Sequence, residues 1–212
     1  MANFGIGILD KEIEQKIKEF LPKIDSTEKK IKLESFFYND LMKYLRELGR
    51  LSNKMINDEQ VDLRIFNELK EINRNIFEAG EGLTNEFNDS VLSKQTRELF
   101  REITGKWFYR SQFFAKSLKK ARGYPGDFEM MNIIYDNKII AEDMIGKYFD
   151  KYYLENPYAE AVRNRKNAMV KIIGNFIEST EDKDTLRMFN LACGPCREIK
   201  ELLSEPLKIN KK

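Results

Sequence analysis

The chain has 212 residues, of which 34% are charged and 42% are apolar. That composition is too apolar for a disordered protein, and its apolar runs are too short for a membrane span, which needs about 18 consecutive apolar residues. The 37 basic and 35 acidic side chains nearly cancel, so we expect no nucleic-acid partner. Histidine is absent, which removes Ser/His and Cys/His nucleophile pairs. Without the basic and apolar regions of a signal peptide, we expect a cytoplasmic protein with no membrane partner.

Apolar residues recur at helical spacing through the first hundred or so residues, which predicts a bundle of amphipathic helices. Asp25 and Glu28 form a capping-box pattern that predicts one helix start, and the glycines at 79–82 predict the end of another helix. The aromatic residues between Trp107 and Phe114 are expected mostly in the core, with the wall of an acceptor pocket as the alternative. The first two sets of periodic positions are Leu9, Ile13, Ile17, Phe20 and Ile24, then Phe37, Leu41, Tyr44, Leu48, Leu51 and Met55.

The character of the chain changes at residues 121–127, where two glycines and a proline predict a turn. Asp127 is expected to cap the short helix that follows. Asn156 and Pro157 predict the start of a later helix, since proline is tolerated in the first helical turn. These changes divide the chain into a helical N-terminal domain, 1–120, and a second domain, 121–212.

The last segment follows a strand, turn and helix pattern. The apolar residues of 186–191 are typical of a buried strand, the small residues of 192–196 are typical of a tight turn, and Ile199, Leu202 and Leu203 recur at helical spacing. A glycine at position 194 lets a ligand approach the backbone, and the N–H groups beyond Pro195 can meet a carboxylate. The pattern predicts a nucleotide-type cofactor site, and an ordinary strand-to-helix connection is the alternative.

These residues carry a resemblance to a known family. Asn190-Leu-Ala-Cys-Gly-Pro-Cys-Arg-Glu-Ile199 resembles motif I of the class I S-adenosylmethionine-dependent methyltransferases. Together with Arg122-Gly-Tyr-Pro-Gly-Asp127 and Ala161-Val-Arg-Asn-Arg165, it is similar to a subgroup with a long helical N-terminal region, some members of which are assigned to the synthesis of 3-hydroxypalmitic acid methyl ester. Asn190 stands where the family has an acidic residue, and Ala192 and Cys196 stand at two family glycines.

The resemblance implies a mainly α fold, with a helical N-terminal bundle, a helical lead-in and the first βα unit of a Rossmann-like α/β methyltransferase fold. It implies an enzyme that transfers a methyl group from S-adenosyl-L-methionine to a small-molecule or fatty-acid-type acceptor, with no catalytic residue that can be named. Since a doubly wound sheet needs further βα units, we expect a truncated chain, inactive alone, that self-associates or is completed by another chain. The implied cofactor-binding residues are Gly123, Tyr124, Gly126, Asp127, Arg163, Asn190, Leu191, Ala192, Cys193, Gly194, Pro195, Arg197 and Glu198.

Ordinary structural roles stay open for part of this set. Residues 123–127 also suit a helix-breaking turn with a cap. Arg163 and Arg165 also suit solvated or salt-bridged positions on a helix.

Two other function classes stay open. Cys193 and Cys196 form a Cys-x-x-Cys pair at a helix start, which lowers a thiol pKa in thioredoxin-like oxidoreductases. That fold needs further strands after the motif, and Ala192 stands where thioredoxins have a tryptophan, so we expect a non-catalytic dithiol. Two cysteines without histidine cannot complete a tetrahedral zinc set, so no metal site is expected.

The second function class that stays open, besides the oxidoreductase, is a helical interaction module without catalytic activity.

Overall fold

The computed structural model describes residues 6–56, 60–119, 127–180, 187–191 and 193–204, with side chains described from residue 11 onward. Helices dominate these ranges, in agreement with the prediction of a mainly α chain. The α-helices are α1 Ile6–Phe20, α2 Thr27–Ser35, α3 Met42–Met55, α4 Leu63–Phe87, α5 Ser90–Phe108, α6 Gln112–Lys119, α7 Phe128–Asp136, α8 Met144–Leu154, α9 Pro157–Ser179 and α10 Arg197–Ser204. None of the helices in the described ranges combines the length and apolar character that crossing a bilayer requires.

Contacts group the chain into two compact units. The first unit comprises Met1–Ser111 and Ala141–Phe149, and the second comprises Gln112–Ile140 and Asp150–Lys212. Residues 120–126 lie outside the described part of the chain, and the predicted domain boundary after residue 120 stays a prediction.

The first unit packs α3 against α4 around fully buried apolar side chains. A π-helical segment, Phe36–Leu41, joins α2 to α3 and buries Phe37 and Leu41 completely. One polar pair lies inside this core, because the Tyr44 hydroxyl donates to Oδ1 of Asn73 at 2.7 Å. Burial of such a pair is tolerated because the hydrogen bond replaces contacts with water.

The first two residues of the aromatic cluster lie in the core as predicted, whereas Tyr109 is 51% exposed. Trp107 and Phe108 in α5 are 2% and 5% exposed. Phe108 packs edge-on against Phe149, with ring centroids 5.3 Å apart. Such ring pairs stabilise a fold by about 0.5–1.5 kcal/mol beyond the area that they bury.

Two predicted helix boundaries in the first unit are wrong. The cap of α2 is Ser26 rather than Asp25, because the Ser26 side chain accepts from the backbone N–H of Lys29. Helix α4 continues through 79–82 and ends at Phe87, and the cap residue that follows, Asn88, has a left-handed φ of 45°. Glycine within a helix costs about 1 kcal/mol, and burial of Leu83 and Phe87 farther along α4 offsets that cost.

The second unit is held together around α7 and α9. Helix α9 packs against both α7 and α10. Asp150, fully buried, accepts hydrogen bonds from the backbone N–H groups of Phe113 at 3.0 Å and Ile140 at 2.8 Å. Beside it, the ring of Tyr153 stacks on Phe114 with centroids 5.1 Å apart.

The predicted βα unit is not present, and this part of the fold prediction is wrong. Residues 187–191 form no strand, and no strand occurs anywhere in the described ranges. Phe189 and Leu191, expected in a buried strand, are 85% and 77% exposed. A strand satisfies its backbone groups by pairing with a neighbouring strand, and even an isolated hairpin is marginal in water. No described residue supplies such a partner, so only the turn and the helix of the predicted pattern form.

Candidate functional site

The first group of predicted site residues lies at the start of α7. Oδ1 of Asp127 accepts from the backbone N–H groups of Glu129 and Met130, both at 3.0 Å, which confirms the predicted cap. Asp127 is only 6% exposed. Gly123, Tyr124 and Gly126 lie outside the described residues, and their role in cofactor binding stays a prediction.

Arg163 lies on α9 and contacts the ends of two other helices. Its Nη1 donates to the carbonyl oxygen of Leu154 at 3.0 Å, at the end of α8. Longer contacts reach the carbonyl oxygen of Ile134 at 3.5 Å and Oδ1 of Asn137 at 3.4 Å, at the end of α7. The last carbonyls of a helix lack intrahelical donors and carry partial negative charge, which a guanidinium satisfies. These contacts favour the structural alternative for Arg163.

The turn before α10 contains the second group of predicted residues. The backbone N–H of Cys196 donates to the carbonyl of Cys193 at 2.9 Å, which closes the turn. Gly194 and Cys196 both have left-handed backbones, with φ of 55° and 51°. No atom lies within 4 Å of the point where a Cβ on Gly194 would be, so the turn is open at Gly194. Asn190 donates from Nδ2 to Sγ of Cys196 at 3.5 Å.

Arg197 ties the start of α10 to α7. Its Nε donates to Oδ1 of Asn132 at 2.8 Å, and its Nη2 lies 2.6 Å from Oδ1 of Asp136. Fixed guanidinium forks of this kind orient the elements that they join. The predicted cofactor residue Arg197 is therefore engaged in holding the turn against α7, while Glu198 lies half-buried in the first turn of α10.

A second contact holds α10 on α9. The ammonium of Lys166 lies 2.5 Å from Oε1 of Glu201, and the Lys166 side chain is largely buried. Leu202 is buried, and its Cδ2 lies 3.6 Å from the Cβ position of Gly174 on α9. Both contacts lie one to two turns into α10, so the turn before it is anchored from the helix side.

Helix α7 is the common support of the predicted site residues. Asp127 caps its start, and Arg163 and Arg197 bind its end. The partners on α7, Asn132 and Asp136, were not predicted. Arg197 and Asp136 are 61 residues apart, and helical periodicity carries no information about such pairs.

The protonation of the nearby groups does not favour nucleophilic chemistry. Burial, followed by the hydrogen-bonded thiol of Cys193, raises the pKa of the Cys196 thiol above its ordinary value. Reactive dithiols in oxidoreductases have a lowered thiol pKa instead. Burial also raises the pKa of Tyr153, with a further contribution from Tyr152, so that phenol stays protonated near neutral pH.

The described residues do not fit a complete S-adenosylmethionine molecule. Cofactor pockets normally bury most of their ligand. Around the turn, Phe189 and Leu191 are exposed and form no enclosing wall, and Ala192 lies outside the described residues. Open backbone at Gly194 and the N–H groups at the start of α10 suit contact with one end of such a ligand only.

Comparison with known proteins gives one match. A family model described as "putative methyltransferase" matches residues 118–211, which include the turn, α7, α9 and α10. The match supports a methyltransferase family for this part of the chain and, with it, a methyl donor. No curated protein and no solved structure matches the chain.

Proposed function

We propose that this chain serves in methyl transfer from S-adenosyl-L-methionine, with the turn at residues 190–196 contacting the methionyl end of the donor. The observation that carries the proposal is the methyltransferase family match over residues 118–211, which spans that turn. We further propose a small-molecule or fatty-acid-type acceptor, following the resemblance of residues 122–127 and 161–165 to enzymes of that kind.

The geometry of the turn supports a backbone contact with the donor. Gly194 is exposed and leaves open space where a side chain would stand. The donor's methionyl carboxylate can accept from the N–H groups at the start of α10, where the helix dipole favours negative charge. Because no described wall encloses the adenosine end, we expect weak binding by this chain, with a dissociation constant of about 1 mM, which corresponds to a binding free energy of about −4 kcal/mol.

The test is a titration of the ¹⁵N-labelled chain with S-adenosylmethionine and with S-adenosylhomocysteine, followed by amide chemical shifts. We expect shifts at Cys193, Gly194, Cys196 and Arg197, with no comparable shifts in α4. Adenosine at the same concentration tests whether the nucleoside part alone gives the response. Equal shifts with adenosine, or none at the turn with millimolar donor, would overturn the proposed contact.

Substitutions at Gly194 separate steric block from loss of the turn. Gly194→Val should remove the shifts, because Cβ branches fill the open space and disfavour a positive φ. Gly194→Asn keeps a residue that tolerates the left-handed backbone but still fills that space. Gly82→Val is the matched control, since Gly82 in α4 also has open space around its Cβ position. Binding that survives in both Gly194 variants would contradict the contact.

A further inference from the structure

The only two cysteines of the chain lie together in the turn before α10. The backbone N–H of Cys196 donates to the carbonyl oxygen of Cys193 at 2.9 Å, so the two residues lie in one closed turn. Both residues are half-exposed. The two sulfur atoms are therefore within reach of one ligand that enters from solvent.

The backbone of Cys196 is strained. Among the described residues, the non-glycine residues with positive φ are Asn88, Asn137 and Cys196. Asparagine tolerates the left-handed region, whereas cysteine has no such preference. Conformations of this kind are energetically costly and concentrate at active sites and ligand-binding sites. The strain falls on one of the two thiol-bearing residues.

One acidic side chain lies next to the thiols in the chain, because Glu198 is in the first turn of α10. Arg197, the nearest basic residue in sequence, is engaged with Asn132 and Asp136. Gly194, between the two cysteines, leaves the approach open.

We infer that Cys193 and Cys196 form a two-sulfur site for a soft, thiophilic cation of the Cu(I) type. Thiolates select soft ions, and Cu(I) is stable with two sulfur ligands. No group of three or more Cys, Asp or Glu residues in the described ranges is placed to hold a metal ion. The two cysteines alone cannot complete the four ligands of zinc, and they do not provide the six or more oxygen ligands of calcium or magnesium.

Binding is an exchange of protons for metal without electron transfer. Each thiol loses its proton to solvent, two Cu–S bonds form, and both sulfur and copper keep their oxidation states. Metal affinity is therefore coupled to proton release, as for thiolate sites in general.

The experiment is an anaerobic titration of the reduced 212-residue chain with Cu(I) bound to the chromophoric chelator bicinchoninate. We expect the chain to withdraw one copper ion per molecule and to develop ultraviolet thiolate-to-copper absorption. Cys193→Ser and Cys196→Ser should each abolish the withdrawal. The double variant keeps all eight methionines, so it is the control for thioether binding.

Cys196→Gly separates the role of the thiol from that of the turn. Glycine relieves the left-handed strain at this position, so the turn should persist while copper binding is lost. Equal copper withdrawal by the wild-type chain and the double variant would overturn the site, as would one copper shared between two chains in native mass spectrometry. Copper binding is measured without the methyl donor, so its failure would leave the proposed function untouched.

Discussion

Replacement of Arg163 tests whether this residue is structural or a ligand group. In Arg163→Met, the bond to the Leu154 carbonyl and the two longer contacts to the end of α7 disappear. Methionine keeps an apolar stem of similar length and is a good helix former, so packing and helix propensity change little. The carbonyls at the ends of α7 and α8 would lose their charged donor.

The expected loss follows from the contact distances. The bond of 3.0 Å to Leu154 is well formed, and a hydrogen bond to a charged group stabilises a fold by about 1.5–3 kcal/mol. Contacts at 3.4 and 3.5 Å lie beyond the normal range for such bonds. A cation near a helix C-terminus adds about 0.3–1 kcal/mol. Together these contributions amount to about 2–4 kcal/mol of unfolding free energy.

Arg165→Met is the matched control for this loss. Arg165 has the same side chain on the same helix but is exposed. Exposed substitutions usually change stability by less than about 0.5 kcal/mol. Arg163→Lys keeps the positive charge but not the planar guanidinium group, so its unfolding free energy should fall between those of Arg163→Met and Arg165→Met.

Urea unfolding followed by far-UV circular dichroism measures the difference. With a typical slope of about 2 kcal/mol/M, Arg163→Met should lower the urea midpoint by about 1–2 M relative to Arg165→Met. Hydrogen exchange at the end of α8, where the 3.0 Å bond is lost, should increase in the same variant. If the two variants unfold at the same urea concentration, Arg163 does not hold these helix ends, and its predicted role as a ligand residue regains support.

Three further predictions concern the buried Asp150 carboxylate, acid sensitivity and the dithiol. Asp150→Asn replaces one carboxylate oxygen by an amide N–H donor, which then faces the backbone N–H of Phe113 or Ile140. Urea unfolding should therefore show a loss of about 2–4 kcal/mol in unfolding free energy, whereas Asp40→Asn, at an exposed position, should change it little. The hydrogen bond from the Leu92 N–H and, next to it, the contact with Lys29 hold the pKa of Asp89 below its usual range. The stability that the ionised Asp89 carboxylate contributes is therefore present above about pH 4 and is lost at lower pH. Asp89→Asn should show a shallower decline of unfolding free energy in acid, and an unchanged decline would contradict the linkage. The reduced chain should show no turnover in an insulin-reduction assay, because the pKa of Cys196 is raised; turnover that Cys196→Ser abolishes would refute this.

Local features of the fold could be predicted from the sequence because their causes are local. Asp127 was predicted as a cap and Asn156 with Pro157 as a helix start, and each of the two side chains, Asp127 and Asn156, accepts from a backbone N–H two residues later in the chain. The helical positions of α10 were predicted from Ile199, Leu202 and Leu203. The core position of Trp107 followed from its aromatic neighbours.

Features that depend on distant partners could not be predicted in this way. The strand over 186–191 was predicted from apolar residues, but strand formation depends on a neighbouring strand that local composition does not reveal. Arg163 and Arg197 were predicted to face a cofactor, whereas their hydrogen-bond partners lie 9 to 65 residues away. Glycines at 79–82 predicted a helix end, but burial of residues farther along α4 outweighed their cost.

Burial of the single tryptophan gives the protein an intrinsic optical probe. Trp107 belongs to the first unit, is 2% exposed, and has the Lys106 ammonium 3.9 Å from the centre of its ring. An indole in a dry environment emits at shorter wavelength than one in water, so a red shift of the emission reports unfolding of the first unit. Tyrosines lie in both units, so their absorption follows the whole chain, whereas the emission of this one indole follows the first unit alone.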